Sequence, residues 1–272
     1  MSLGSQISAL RKNAGMTQAQ LAEAVDVTFQ AVSSWEHDDY QPDVAHLLLL
    51  TKALNTTVGT LVEEFDRPNW VSNERLFNEE HMYTFIKSAA VSKGLRQTIQ
   101  ALPLMKEWHS GQIRDGAEGV PYIIHPLTMA CHALAMGVDD DDVIATIILH
   151  DVVEDCGVDA RNLPVNDTVR EAVVLLSYPK GVDKAKIKPA YYAGIIDNPI
   201  PCLVKCIDRC NNLSTMASGF KKDKMAIYVS QTEKFVFPLL QKLKDTWVQW
   251  NIASWLLSYQ IKSLIETYKC IL

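Results

Sequence analysis

The segment from Asp139 to Asp155, DDDDVIATIILHDVVED, constrains this chain more than any other. Its four leading aspartates suit the positive end of a helix. Val143 to Leu149 then reads as apolar on every side, which predicts a central, buried helix rather than a surface one. The run is about half of what a bilayer needs, so it does not predict a membrane span. It leads straight into His150, Asp151, Glu154 and Asp155. The pairs 150/154 and 151/155 are each four apart, which predicts that the polar groups gather on adjoining faces of one turn. A buried helix does not tolerate three carboxylates and an imidazole unless something compensates them, and a divalent cation is the economical compensator. The alternative is a solvated helix end, and the apolar pair Val152–Val153 weakens it.

Elsewhere apolar residues recur at three- and four-residue spacing and alternating runs are scarce, which predicts an all-α protein. Charged residues make up 21% of the chain and are of mixed sign, which excludes a disordered polyelectrolyte. The first residues lack the basic-then-apolar pattern of an export signal. Cys202, Cys206 and Cys210 repeat every four residues, with no further thiolates or histidines close by to complete a metal set. They read as small packing residues in a reducing compartment, and the expected location is the cytoplasm. The polar segment DRPNWVSNER interrupts the periodicity. A boundary is therefore expected there: a small domain over 1–66, a linker over 67–75 and a larger helical domain over 76–272.

Residues 1–66 read as five short helices. Thr17 and Gln20 form a candidate capping box at the start of the second. Leu10, Leu21, Ala22, Val32, Trp35, Leu47, Leu50 and Leu61 are the expected small core. The string MTQAQLAEAVDVTFQAVSSWE resembles the two central helices of the Cro/repressor-type helix-turn-helix family. The resemblance implies that the helix from Thr28 to Glu36 enters a major groove, with Gln18, Thr28, Phe29, Gln30 and Ser34 facing DNA. Asp26 stands where that family commonly has Gly, a position that asks for positive φ. Charge argues the other way. Residues 1–66 hold Arg11, Lys12 and Lys52 against nine acidic residues, a net of −6, whereas the remainder balances at 23 each. DNA affinity comes largely from cations that neutralise phosphates. Binding would need a dimer in which Arg11, Lys12 and the recognition helix face the duplex together; the other reading is a fold kept for dimerisation or partner binding.

Three further pieces accompany the central segment. Pro126 places His125 at or just before a helix N-terminus, where a lone histidine is more often a cap or packing residue than a ligand. Lys205, Asp208, Asn212 and Thr215 fall at i, i+3, i+7 and i+10, one stripe of a second helix. Such a stripe can complete a metal site and bind a phosphorylated ligand, or serve as a hydrogen-bonded helix contact. Arg114 is a planar cation suited to phosphate or to stacking on a base.

Together HSGQIR, PYIIHP, HDVVED and VKCIDRCNNLSTM resemble the RelA/SpoT-type HD hydrolases, most closely the small alarmone hydrolases. The resemblance runs from about His109 to Leu240. It implies an all-helical fold, a bound Mn²⁺ and removal of pyrophosphate from the 3′ position of guanosine tetra- or pentaphosphate. Carried over by motif, His125, His150, Asp151 and Asp208 match metal ligands. Glu154 and Asp155 match the acidic pair that activates or places water, and Arg114, Asn212 and Thr215 match nucleotide contacts. Imidazole and carboxylate ligands also admit Zn²⁺, Fe²⁺ or Ni²⁺. DGAEGV after Arg114 is about two residues longer than usual, and Asp115 replaces a common basic residue; both touch the nucleotide side. No synthetase domain is expected after the hydrolase-like region. The tail helices, with three tryptophans, are expected to pack on the core, the alternative being that the tryptophans form an oligomer contact. Two rivals remain: hydrolysis of an adenosine alarmone or NADPH, and a nucleotide-sensing transcription regulator or antitoxin. A homodimer is expected from the helix-turn-helix.

Overall fold

The computed structural model describes residues 3–56, 61, 78–114 and 120–272. Its regular structure is helical; the strand-like pairing among the described residues is an isolated bridge between Ile113 and Pro121. The chain divides into two compact units, Met1–Trp70 and Val71–Leu272. The expected linker, 67–75, lies outside the described residues, as does nearly all of the expected fifth helix.

The first unit contains α1 (Leu3–Asn13), α2 (Gln18–Ala24), α3 (Phe29–Glu36) and α4 (Val44–Ala53). The capping box forms: Thr17 Oγ1 accepts from the Gln20 amide at 3.2 Å while the Gln20 side chain accepts from the Thr17 amide at 2.8 Å. Thr28 is the N-cap of α3 rather than its first residue, accepting from Ala31 N. Asp26 takes φ 56° in the turn between α2 and α3, the left-handed conformation that the helix-turn-helix resemblance implies there. Leu21, Ala22, Val32, Trp35, Leu50 and Leu61 are buried as expected, joined by Leu3, Ile7, Val25 and Leu54; Leu10 and Leu47 are only partly buried around them.

The second unit begins with α5 (Glu79–Lys93), α6 (Arg96–Trp108), α7 (Ile124–Ala135) and α8 (Asp141–Leu149). A single turn, α9 (Val152–Asp155), leads to α10 (Asp167–Leu176), α11 (Lys184–Ile196) and α12 (Pro199–Thr215). Helices α13 (Lys222–Gln231), α14 (Phe237–Thr246) and α15 (Asn251–Ile271) complete it, α13 and α14 being joined through a π-turn at Thr232–Val236. Helix α8 is central: it packs on α6, α7, α10 and α12, and every residue from Val143 to Leu149 is buried. Fully burying one such aliphatic side chain stabilises by roughly 1.5–3 kcal/mol, so this helix anchors the unit.

The four aspartates do more than complement a helix end. Asp140 caps α8. Asp141 accepts from the amides of Gln97 and Thr98, both at 2.9 Å, and so caps α6, which has no side-chain cap of its own. Asp139 pairs with Lys93 at 2.6 Å, and Asp142 accepts from Gln97 and Asn166. Cys202, Cys206 and Cys210 are buried on α12. The tryptophans divide: Trp250 is buried, whereas Trp255 is 66% exposed and stacks on Tyr259, so the expectation of core packing fails for Trp255. No helix among the described residues is long and apolar enough to cross a membrane.

Candidate metal centre

Where the sequence predicts one continuous turn carrying His150 to Asp155, the helix instead ends. α8 stops at Leu149, His150 is its C-cap, and the chain restarts as α9 at Val152. The break separates the acidic groups. Glu154 turns away from the histidines to accept from Tyr178 N at 2.8 Å and to pair with Lys184. Asp151 stays with His150.

Four side chains from three helical segments meet at this break. His125 lies in the first turn of α7, His150 and Asp151 at the end of α8, and Asp208 in the middle of α12. Ligand atoms of His125, His150 and Asp151 all lie within 4.8 Å of one another. Asp208 Oδ1 joins them at 3.3 Å from His125 Nε2. His125 Nε2 is 3.8 Å from Asp151 Oδ2, and His150 Nε2 is 2.8 Å from the same oxygen.

The second nitrogen of each ring is already committed. His150 Nδ1 lies 2.8 Å from the carbonyl oxygen of Ile147, which can only accept, so that nitrogen holds a hydrogen. His125 Nδ1 lies 2.7 Å from Asn211 Oδ1. Both Nε2 atoms therefore face the carboxylates. His150 Nε2 is buried and makes no hydrogen bond, although Asp151 is close. An orphaned ring nitrogen facing carboxylates, in a pocket of two imidazoles and two carboxylates, is the arrangement that a divalent cation satisfies.

The electrostatics agree. Burial disfavours charge on His125 and lowers its pKa, leaving it a neutral donor. Burial also opposes charge on His150, but the Asp151 carboxylate outweighs it and pushes the imidazole up to about 9. Without a cation His150 thus supplies the compensating charge itself, and a bound ion would displace that proton. Burial would raise Asp208, but Lys205 Nζ at 2.8 Å outweighs it and holds it well below the usual carboxylate range. Asp155 moves the other way: burial and the neighbouring Asp151 raise it. Tyr122, its phenol kept protonated by burial and by these carboxylates, donates to Asp151.

The centre forms one wall of a cavity of about 660 Å³. Arg114, Lys184, Lys188, Lys205, Arg209 and Lys224 line it, with Tyr178, Tyr192, Tyr228 and Phe220 among them. Such a cavity holds a ligand of nucleotide size, and its cations suit a polyanion. Arg114 is positioned by backbone pairing with the PYIIHP segment: its N–H donates to Val120 O at 3.0 Å, and Tyr122 N–H donates to Gln112 O at 2.9 Å. Its guanidinium donates to Asn211 Oδ1 at 3.2 Å and to Asn212 Oδ1 at 2.6 Å. Thr215 lies at the exposed rim, its hydroxyl donating back to Asn211 O. The insertion-bearing segment with Asp115 lies outside the described residues. Sequence reasoning missed Tyr122, Asn211 and the lysines of α11. PYIIHP contained Tyr122 in plain view, but nothing in the spacing aims α11 at the cavity.

In the first unit, Thr28, Phe29 and Gln30 are exposed and Ser34 is half-buried. Gln18 donates its amide to Glu36 at 2.7 Å. Arg11 does not face outward as DNA binding would require. It is buried, donating to both oxygens of Glu36 at 2.5 and 3.0 Å and to Met16 O at 2.7 Å. Lys12 and Lys52 remain as the exposed bases of residues 1–66.

The chain is similar to two kinds of known protein. Residues 7–61 match the helix-turn-helix family model. A GTP pyrophosphokinase of Streptomyces coelicolor is 29% identical over 168 residues, 58% of this chain and 19% of that protein. A guanosine-3′,5′-bis(diphosphate) 3′-pyrophosphohydrolase of Aquifex aeolicus is 28% identical over 59% of this chain and 23% of that protein. The bifunctional (p)ppGpp synthase/hydrolase SpoT of Escherichia coli is 27% identical over 60% and 24%. The chain thus spans under a quarter of the length of these relatives.

Proposed function

We propose that this chain, a helix-turn-helix domain joined to a domain homologous to the RelA/SpoT enzymes, is a metal-dependent (p)ppGpp 3′-pyrophosphohydrolase. The observation that carries the reading is the convergence of two imidazole Nε2 atoms, their Nδ1 atoms already committed, on the Asp151 and Asp208 carboxylates. His125, His150, Asp151 and Asp208 would hold the ion, Mn²⁺ on this reading. Once bound, a divalent ion supplies Lewis acidity, lowering the pKa of water and offsetting charge on phosphoryl oxygens.

The chain's own residues do the rest. Asp155, its pKa raised by burial and by the neighbouring Asp151, accepts the proton of the attacking water. Glu154 holds Lys184 at the cavity wall by their ion pair. Arg114, Asn212, Thr215 and the lysines grip the phosphates and ribose. Attack on the 3′ pyrophosphate would yield GDP or GTP and pyrophosphate. The exposed start of α3, with Thr28, Phe29 and Gln30, would meet DNA, Gln18 and Ser34 flanking it. That contact would be weakly cationic, because Arg11 is occupied by Glu36.

The test is turnover of ppGpp by the full chain with Mn²⁺, beside adenosine alarmones and NADPH, with His150→Ala as control. The expected result is pyrophosphate released from ppGpp by the wild type alone. Preferred turnover of another nucleotide would replace the substrate; activity in the His150→Ala protein would remove the metal centre from the reaction.

A further inference from the structure

Asn211 lies between the metal centre and Arg114. It is 7% exposed, on α12, three residues after Asp208. Its Oδ1 lies 2.7 Å from His125 Nδ1 and 3.2 Å from an Arg114 terminal nitrogen. Amide oxygen and nitrogen are distinguished here by chemistry. A guanidinium can only donate, so the atom facing Arg114 is the carbonyl oxygen. A carbonyl oxygen can only accept, so the His125 hydrogen is at Nδ1. The lone pair of the neutral ring then falls on Nε2, toward Asp151 and Asp208. The neighbouring Asn212 repeats the logic: its Oδ1 accepts from Arg114 at 2.6 Å while its Nδ2 donates to Asp208 Oδ1 at 2.5 Å. One guanidinium therefore forks into two amides, and each amide holds one member of the centre.

We propose that Asn211 is a positioning residue: its side-chain oxygen sets the tautomer and orientation of His125 and ties that ring to Arg114, coupling ion affinity to the grip on the nucleotide. The inference rests on the metal-centre reading above. A ligating imidazole whose distal N–H has lost its acceptor rotates and samples both tautomers, and losing such a partner costs 10- to 100-fold in ion affinity in metalloproteins. Arg114 acts on the centre at one remove through both asparagines. A phosphate that draws Arg114 away also releases part of what holds His125 and Asp208.

The experiment uses the full chain and two readouts. Imidazole ¹⁵N NMR of the ion-free protein reads the tautomer directly: His125 should be Nδ1-protonated in the wild type and mixed in Asn211→Leu, which matches the volume but lacks an acceptor. Mn²⁺ titration by calorimetry should show Asn211→Leu weakened about 10- to 100-fold and Asn211→Asp, which keeps the acceptor, within about 3-fold of wild type. If Asn211→Leu does not fold, Asn211→Ala takes its place in both measurements. A wild-type His125 protonated at Nε2, or an affinity within twofold of wild type in the acceptor-free variant, overturns the proposal. Absence of any Mn²⁺ binding by the wild type, with His125 still Nδ1-protonated, would instead sink the metal-centre reading and the ion-affinity half of this inference with it.

Discussion

Both units of this protein bury charge, and they do so to opposite ends. In the helix-turn-helix, Arg11 finds both oxygens of Glu36 and the carbonyl of Met16, while Gln18 supports the same carboxylate. The charges cancel within the cluster. In the larger unit the same kinds of groups meet without closing into hydrogen bonds: His150 Nε2 lies 2.8 Å from Asp151 Oδ2 yet makes no hydrogen bond, and His125 Nε2 faces Asp208 and Asp151. Buried polarity that closes on itself is structure; buried polarity left open marks a place for something the chain does not supply. The comparison also explains why a motif with the look of a DNA-binding module is electrostatically poor. Its single arginine has been drawn into the fold.

The contrast predicts a crossed pair of effects. The largest is on Asp155. Asp155→Asn should lower kcat about 10²- to 10⁴-fold, the usual range for a lost general base, with Mn²⁺ affinity held. Because burial and Asp151 already disfavour its charge, the melting temperature should stay level or rise. Steady-state turnover and calorimetry on one preparation decide both; a parallel loss of stability would mean that Asp155 belongs to the structure.

Next in size is Arg11→Met, which strands the Glu36 carboxylate. Their side chains are 10% and 4% exposed, and breaking a buried pair costs about 3–5 kcal/mol. Thermal melting of the full chain should show an early transition while ppGpp turnover stays within twofold. An unchanged melting curve would reduce the pair to a surface contact.

The smallest effect is on pH. Burial would raise Glu36, but the hydrogen bonds from Arg11 and Gln18 outweigh it and hold it below its ordinary 4.5. A depressed carboxylate contributes stability that is complete above its unfolded pKa and is lost as pH falls through the folded one. The melting gap between wild type and Glu36→Gln should therefore be flat from about pH 8 to 5.5 and close on acidification below about 4. A gap that grows toward acid would reverse the assigned sign.

Much of this was legible in the residues. The apolar run Val143–Leu149 announced a central helix, local chemistry announced the Thr17 capping box, because it depends on neighbours within four positions, and the helix-turn-helix resemblance announced the left-handed turn at Asp26. What residue order could not convey was direction. Nothing in HDVVED says that the helix breaks after Leu149, sending Glu154 to Lys184 and leaving Asp151 with the histidines. Nothing in NN says which asparagine reaches His125 and which reaches Asp208. The residue types and their spacing along each helix were determined by the sequence alone. Which lone pairs meet, and which charges are cancelled before they can act, depends on packing between segments tens of residues apart. Only the tertiary structure decides that, because a hydrogen bond or ion pair is settled within a few tenths of an ångström.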